Sequence, residues 1–149
     1  MIMHTGDFAY SIQDTKGAKG DLFFNDIAPG ITAKPYIITP GNHEVFDRRR
    51  FLNYRFQMPQ PPSRAKNLEK RNNFYTFNVK GIQFISINLD YLWPYHRGPD
   101  LAALNRIELL TWLDKTLKAS QDAKFRFLYT HRPLICGDPL KNECNGDQY

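Results

Sequence analysis

The feature that most constrains this chain is a short apolar run that occurs three times, each followed by a polar side chain able to bind a cation. Met1, Ile2 and Met3 read as the end of a buried strand, and Gly6 then turns the chain so that Asp7 is delivered at its carboxyl end. Pro35 to Thr39 reads as a second buried strand, followed at once by Pro40-Gly41-Asn42-His43-Glu44. Phe125 to Tyr129 reads as another strand and runs into Thr130-His131-Arg132-Pro133. Between the first two, Phe23 or Phe24 and Ile27 fall at helical spacing behind Asp21 as N-cap, and Pro29-Gly30 ends that helix. Strand, helix, strand, with polar residues where each strand stops, is the pattern of a βαβ unit. In layered α/β folds, ligands gather outside the carboxyl ends of the strands.

The remaining segments are consistent with a mixed α/β domain. Phe74 to Val79 and Ile82 to Leu89 read as two strands joined by a hairpin turn at Lys80-Gly81. Leu101 to Ala119 reads as a helix capped by Asp100, with Leu104, Ile107, Leu110, Leu113 and Leu117 forming one apolar stripe. Asp47 to Phe56 reads as a short arginine-rich helix, and Met58 to Lys70 as a surface loop.

Several function classes are disfavoured by the totals. At 149 residues, 42% hydrophobic and 14% aromatic, the chain is about one globular domain. No apolar run approaches the roughly 20 residues of a membrane span, and no signal-peptide pattern is visible. The formal charge of +5 favours anionic ligands such as phosphate esters. The basic residues lie in separate clusters without interleaved aromatics, which argues against a nucleic-acid partner. Cys136 and Cys144 lack a zinc-type spacing. An intra-loop disulfide and two free thiols both remain open readings.

The donor types sort by metal preference. Asp7 and Tyr10, three residues apart, offer two anionic oxygens, which suit Fe(III). Amide oxygen, imidazole and carboxylate, as from Asn42, His43, His131 and Asp7, suit zinc, manganese or Fe(II). Each piece alone has a plain structural explanation, since Gly-Asp is a common turn and a single histidine is usually structural. Their coincidence at three strand ends is what points to a site.

Gly6-Asp7-Phe8-Ala9-Tyr10, Gly41-Asn42-His43-Glu44 and Thr130-His131-Arg132-Pro133 resemble three of the five signature blocks of purple acid phosphatases, in the calcineurin-like metallophosphoesterase superfamily. The wording is most similar to the long, animal-type branch, where His-Arg-Pro is followed by a Cys and a second Cys, as at Cys136 and Cys144. Arg55-Phe56-Gln57-Met58-Pro59 and Trp112-Leu113 are similar to spacer landmarks of that branch. The resemblance implies an α/β fold: part of a metallophosphoesterase β-sandwich flanked by helices, incomplete at both ends. Residues 1–149 would be one partial catalytic domain with no fibronectin-like domain before it. It further implies hydrolysis of phosphate monoesters by a dinuclear Fe(III)–M(II) centre, with M being zinc, iron or manganese and a metal-bound hydroxide as nucleophile.

Carried onto this sequence, the resemblance makes Asp7 the bridging carboxylate and Tyr10 the iron phenolate. Asn42 and His131 become ligands of the divalent ion. His43 would lie over the substrate phosphate, where a protonated imidazole at acid pH serves the leaving alcohol. His4 would orient a ligand by a hydrogen bond. Family members are usually secreted or lysosomal, although no Asn-x-Ser/Thr sequon occurs here. The family's first block, Asp-x-Gly, and its last, Gly-His-x-His, have no counterpart in the chain. The sequence therefore reads as an internal fragment that is inactive by itself. A general metallophosphoesterase acting on diesters, against which Tyr10 argues, and a non-catalytic remnant are the alternatives. His96 reads as an exposed loop residue.

Overall fold

The computed structural model describes residues 1–44, 73–92 and 99–134. The expected helix at Asp47–Phe56, the loop at Met58–Lys70, His96 and both cysteines lie outside the described residues.

The first βαβ unit forms as the sequence suggests. β1 (Ile2–Thr5) and β2 (Tyr36–Thr39) pair in parallel, Ile2 opposite Tyr36 and Thr5 opposite Thr39, so both strands stop at the same level. The connecting helix α1 (Ala18–Ile31) differs at both ends from the expectation. It starts three residues before Asp21, after Gly17, whose φ of 96° suits a residue without Cβ. Asp21 lies in the first turn, favourable to the helix dipole, instead of capping it. Pro29 lies inside the last turn, where it lacks the N–H that would bond to the Asn25 carbonyl, yet the helix runs on until Thr32 N–H closes onto the Ala28 carbonyl.

A second sheet contains β3 (Phe74–Val79), β4 (Ile82–Ile87) and β5 (Phe125–Tyr129) in that order. β3 and β4 are the expected hairpin. Lys80 (φ 50°) and Gly81 (φ 82°) are both left-handed at its turn, which matches the strand twist. β5 runs parallel to β4 after α2 (Pro99–Ala119), giving a second crossover of the same kind. β4 is covered on both faces. Ile85 and Ile87 meet Leu109, Trp112 and Leu113 of α2, while Phe84 packs with Ile37, Tyr75 and Tyr129. The two sheets are tied by the Tyr75 hydroxyl on the Ile38 carbonyl and by Thr39 Oγ1 on the Ile87 carbonyl, while the Tyr129 hydroxyl donates to Tyr75 within the second sheet. On the other flank α1 covers β1 and β2 through Phe23 and Phe24, against Phe8, Ile12, Ile38 and Tyr91.

Two expectations about burial fail. Met1 and Met3 are 50% and 38% exposed, because the partner of β1 among the described residues is β2 and its inward positions are Ile2 and His4. On α2 most of the expected stripe points outward: Leu104, Ile107 and Leu110 are each more than half exposed, whereas Leu113 packs inward. The buried face carries Asn105, Leu109, Trp112, Leu113 and Thr116. Asn105 donates to the Tyr91 carbonyl at 3.0 Å, so a polar anchor occupies a position that hydrophobic periodicity assigns to the surface.

Candidate functional site

The loops after β1 and β2 meet backbone to backbone. A Cβ on Gly6 would lie 2.6 Å from the Gly41 Cα, so only glycine allows this approach. Beyond Gly6 the chain enters an unusual run of left-handed residues: Asp7 (φ 57°), Ala9 (φ 53°), Tyr10 (φ 46°) and Ser11 (φ 94°). Each such non-glycine residue costs of order 1 kcal/mol, and strain of this kind collects where a surrounding structure imposes a geometry.

Glu44 holds the start of this run. Its carboxylate, 1% exposed, accepts the Asp7 N–H (2.8 Å) and Gly41 N–H (2.7 Å) on Oε2 and the Phe8 N–H (2.9 Å) on Oε1. Burial pushes the Glu44 carboxyl up to about 7; the three amides oppose this and the Asp7 charge adds to it.

Asp7, Asn42 and His131 converge. His131 Nε2 is 3.1 Å from Asn42 Oδ1 and 3.5 Å from Asp7 Oδ1. Its Nδ1 lies 2.6 Å from the Thr5 carbonyl, an obligate acceptor, so the proton belongs on Nδ1 and the neutral ring offers a lone pair at Nε2. Three lone-pair atoms facing one another repel unless a cation sits among them. Carboxylate, amide oxygen and imidazole are also a chemically suitable set for a divalent ion. These residues therefore fit a metal. Among the described residues no group of three or more His, Cys, Asp or Glu gathers, because Asn42 supplies the third donor.

His43 sits beside this cluster. Its backbone N–H donates to Asp7 Oδ1 (3.1 Å), its Nδ1 is 3.3 Å from Ser11 Oγ, and the Gln13 amide donates to its carbonyl (3.1 Å). Tyr10 lies with its ring 4.6 Å from the His43 ring and is 65% exposed. Its phenol makes no hydrogen bond to Asp7, Asn42 or His131. His4 bonds through Nδ1 to the Tyr36 hydroxyl and packs edge-on against Phe8 at 4.4 Å. Burial lowers its pKa, against a hydrogen bond with the Gly6 backbone and the Asp7 charge.

Sequence reasoning assigned no role to Glu44, Ser11, Gln13 or the Asp90–Arg132 pair. Arg132 Nε donates to Asp90 Oδ1 at 2.6 Å, and Asp90 is 2% exposed, so the residue after His131 is fixed to the end of β4. Asp90 carried the same signal as the other residues: it is the carboxylate that follows a strand-like run.

The model of the calcineurin-like phosphoesterase family matches residues 1–147. The chain belongs to this family. Among curated relatives, acid phosphatase type 7 of Homo sapiens and of Mus musculus are each 30% identical over 96% of this phosphoesterase chain. The Danio rerio protein of the same name is 28% identical over 97% of it. The chain spans about a third of the length of these relatives, 31% in each case. No solved structure gives a significant match.

Proposed function

We propose that this chain carries part of the catalytic centre of an acid phosphatase, one that hydrolyses phosphate monoesters with Fe(III) and a divalent zinc, iron or manganese ion. The observation that supports this most is the convergence of Asp7 Oδ1, Asn42 Oδ1 and His131 Nε2, with Nδ1 of the imidazole committed to Thr5. The resemblance to acid phosphatase type 7 supports the substrate class.

In this reading Asn42 and His131 hold the divalent ion, Asp7 serves both ions and Tyr10 offers its phenolate to iron. The bound ions supply Lewis-acid charge for the phosphoryl oxygens and acidify water. His43, anchored through its N–H to Asp7 and its Nδ1 to Ser11, orients the phosphate and holds a proton for the leaving oxygen. His4 acts one step back, steadying the backbone before Asp7. A secreted or lysosomal setting goes with this assignment. Among the described residues no helix is long and apolar enough to cross a membrane.

With three donors for one cation and, among the described residues, Asp7 and Tyr10 for the other, the 149-residue chain is expected to bind a divalent ion but to turn over substrate poorly. The test is to load the chain with iron and zinc and measure inorganic phosphate binding by calorimetry, alongside hydrolysis of a phosphate monoester at acid pH. The expected result is phosphate binding that requires metal, is lost in Asp7→Ala and is competed by a monoester better than by a diester. Phosphate binding that ignores metal or Asp7 contradicts the proposed function. Robust turnover abolished by Asp7→Ala contradicts the expected inactivity alone.

A further inference from the structure

Three backbone amides from two loops point at one buried carboxylate. Gly41 and Asp7 donate to Glu44 Oε2 at 2.7 and 2.8 Å, and Phe8 donates to Oε1 at 2.9 Å. Asp7, left-handed at φ 57°, lies beyond the end of β1, so its N–H takes its acceptor from outside the strand ladder. A carboxylate in a water-poor site gives charge-assisted bonds, stronger than those of a neutral acceptor.

We propose that Glu44 is a positioning residue for the cation site. It holds the β1 and β2 loops at one separation and so sets the Asp7 carboxylate against Asn42 and His131. The inference rests on the cation-site reading of those three residues. The direction of the Asp7 side chain follows from its φ of 57°, which is held by the hydrogen bond that its N–H donates to Glu44 Oε2. Without that bond the backbone relaxes toward an ordinary region, and Oδ1 leaves the point where it lies 3.5 Å from His131 Nε2. A role in stability alone predicts lower melting temperatures with unchanged affinity of the folded chain. A positioning role predicts changed affinity while the chain stays folded.

Glutamine and alanine separate these roles. In Glu44→Gln one oxygen stays where Oε2 is now, keeping the Gly41 and Asp7 bonds, while the side-chain NH2 faces the Phe8 N–H and loses that one. Glu44→Ala loses all three. The experiment is Co(II) titration of the 149-residue chain by visible absorbance, well below the melting temperature, with amide exchange by NMR on the metal-free chain. Expected is about tenfold or more weaker Co(II) binding in Glu44→Ala, the range seen when outer partners of metal ligands are removed. The Gly41, Asp7 and Phe8 amides lose protection while β4 keeps its own. Glu44→Gln stays within about threefold, equivalent to under 1 kcal/mol, with only Phe8 deprotected. Wild-type affinity in folded Glu44→Ala overturns the proposal and leaves the cation site standing. If the alanine variant does not fold, wild-type affinity in a Glu44→Gln chain that has lost Asp7 and Gly41 protection overturns it equally. A wild-type chain that takes up no Co(II) overturns the cation site itself, and this proposal with it.

Discussion

Gly41 shows how little room the candidate site leaves. A Cβ there would lie 2.8 Å from the Asp7 nitrogen and 3.0 Å from His131 Cε1, and nearer still to Asp7 Oδ1. Gly41→Ala must therefore push apart two of the three converging donors. We expect it to weaken zinc binding at least about tenfold, a loss near 1.4 kcal/mol, while far-UV circular dichroism stays native. His4 gives a second residue-scale prediction. Its pKa is held below the ordinary 6.5, chiefly by burial, so the folded chain takes up this proton less readily than the unfolded chain. The stability involved is fully present above the unfolded pKa and is lost as pH falls through the lowered folded value. Melting temperatures measured from pH 7.5 to pH 5 should fall more steeply for the wild type than for His4→Gln. Parallel curves would contradict the assignment.

At the scale of the element, α2 offers the clearest contrast. Leu109 is 4% exposed against Ile85, Ile87 and Leu89, whereas Ile107 is 63% exposed. Leu109→Ala should cost about 2–4 kcal/mol by urea denaturation, and Ile107→Ala within about 0.5 kcal/mol. Equal losses would restore the stripe suggested by periodicity. Much of the fold was legible in the sequence: the first crossover, the Lys80-Gly81 hairpin and three strand ends bearing donors. These depend on local patterns, namely apolar runs, glycine at a turn and polar residues at a strand end. What was not legible depends on partners distant in sequence. Asn105 belongs to the buried face because the Tyr91 carbonyl needs a donor, and no periodicity encodes that bond. Glu44 looked like one more polar loop residue, although amides about 36 positions away select it as their acceptor. The proton on His131 Nδ1 is set by a backbone carbonyl, which carries no sequence signal at all.

Across the whole molecule, the candidate site lies where two sheets are held together. β1 and β2 supply Asp7 and Asn42 from one sheet, β5 supplies His131 from the other, and the Tyr75 hydroxyl bridges from the second sheet to the Ile38 carbonyl. Tyr75→Phe removes that bridge and the Tyr129 partner together. It should cost about 1–3 kcal/mol, since a buried carbonyl loses its donor, and should loosen the junction beneath the site. The central claim is that residues from both sheets form one cation site. The most direct test is calorimetric zinc titration of the wild type beside Asp7→Asn, Asn42→Ala and His131→Ala. The account predicts one tight divalent site per chain, weakened at least about tenfold by each substitution, about 1.4 kcal/mol or more apiece. Zinc binding that survives His131→Ala unchanged would contradict it.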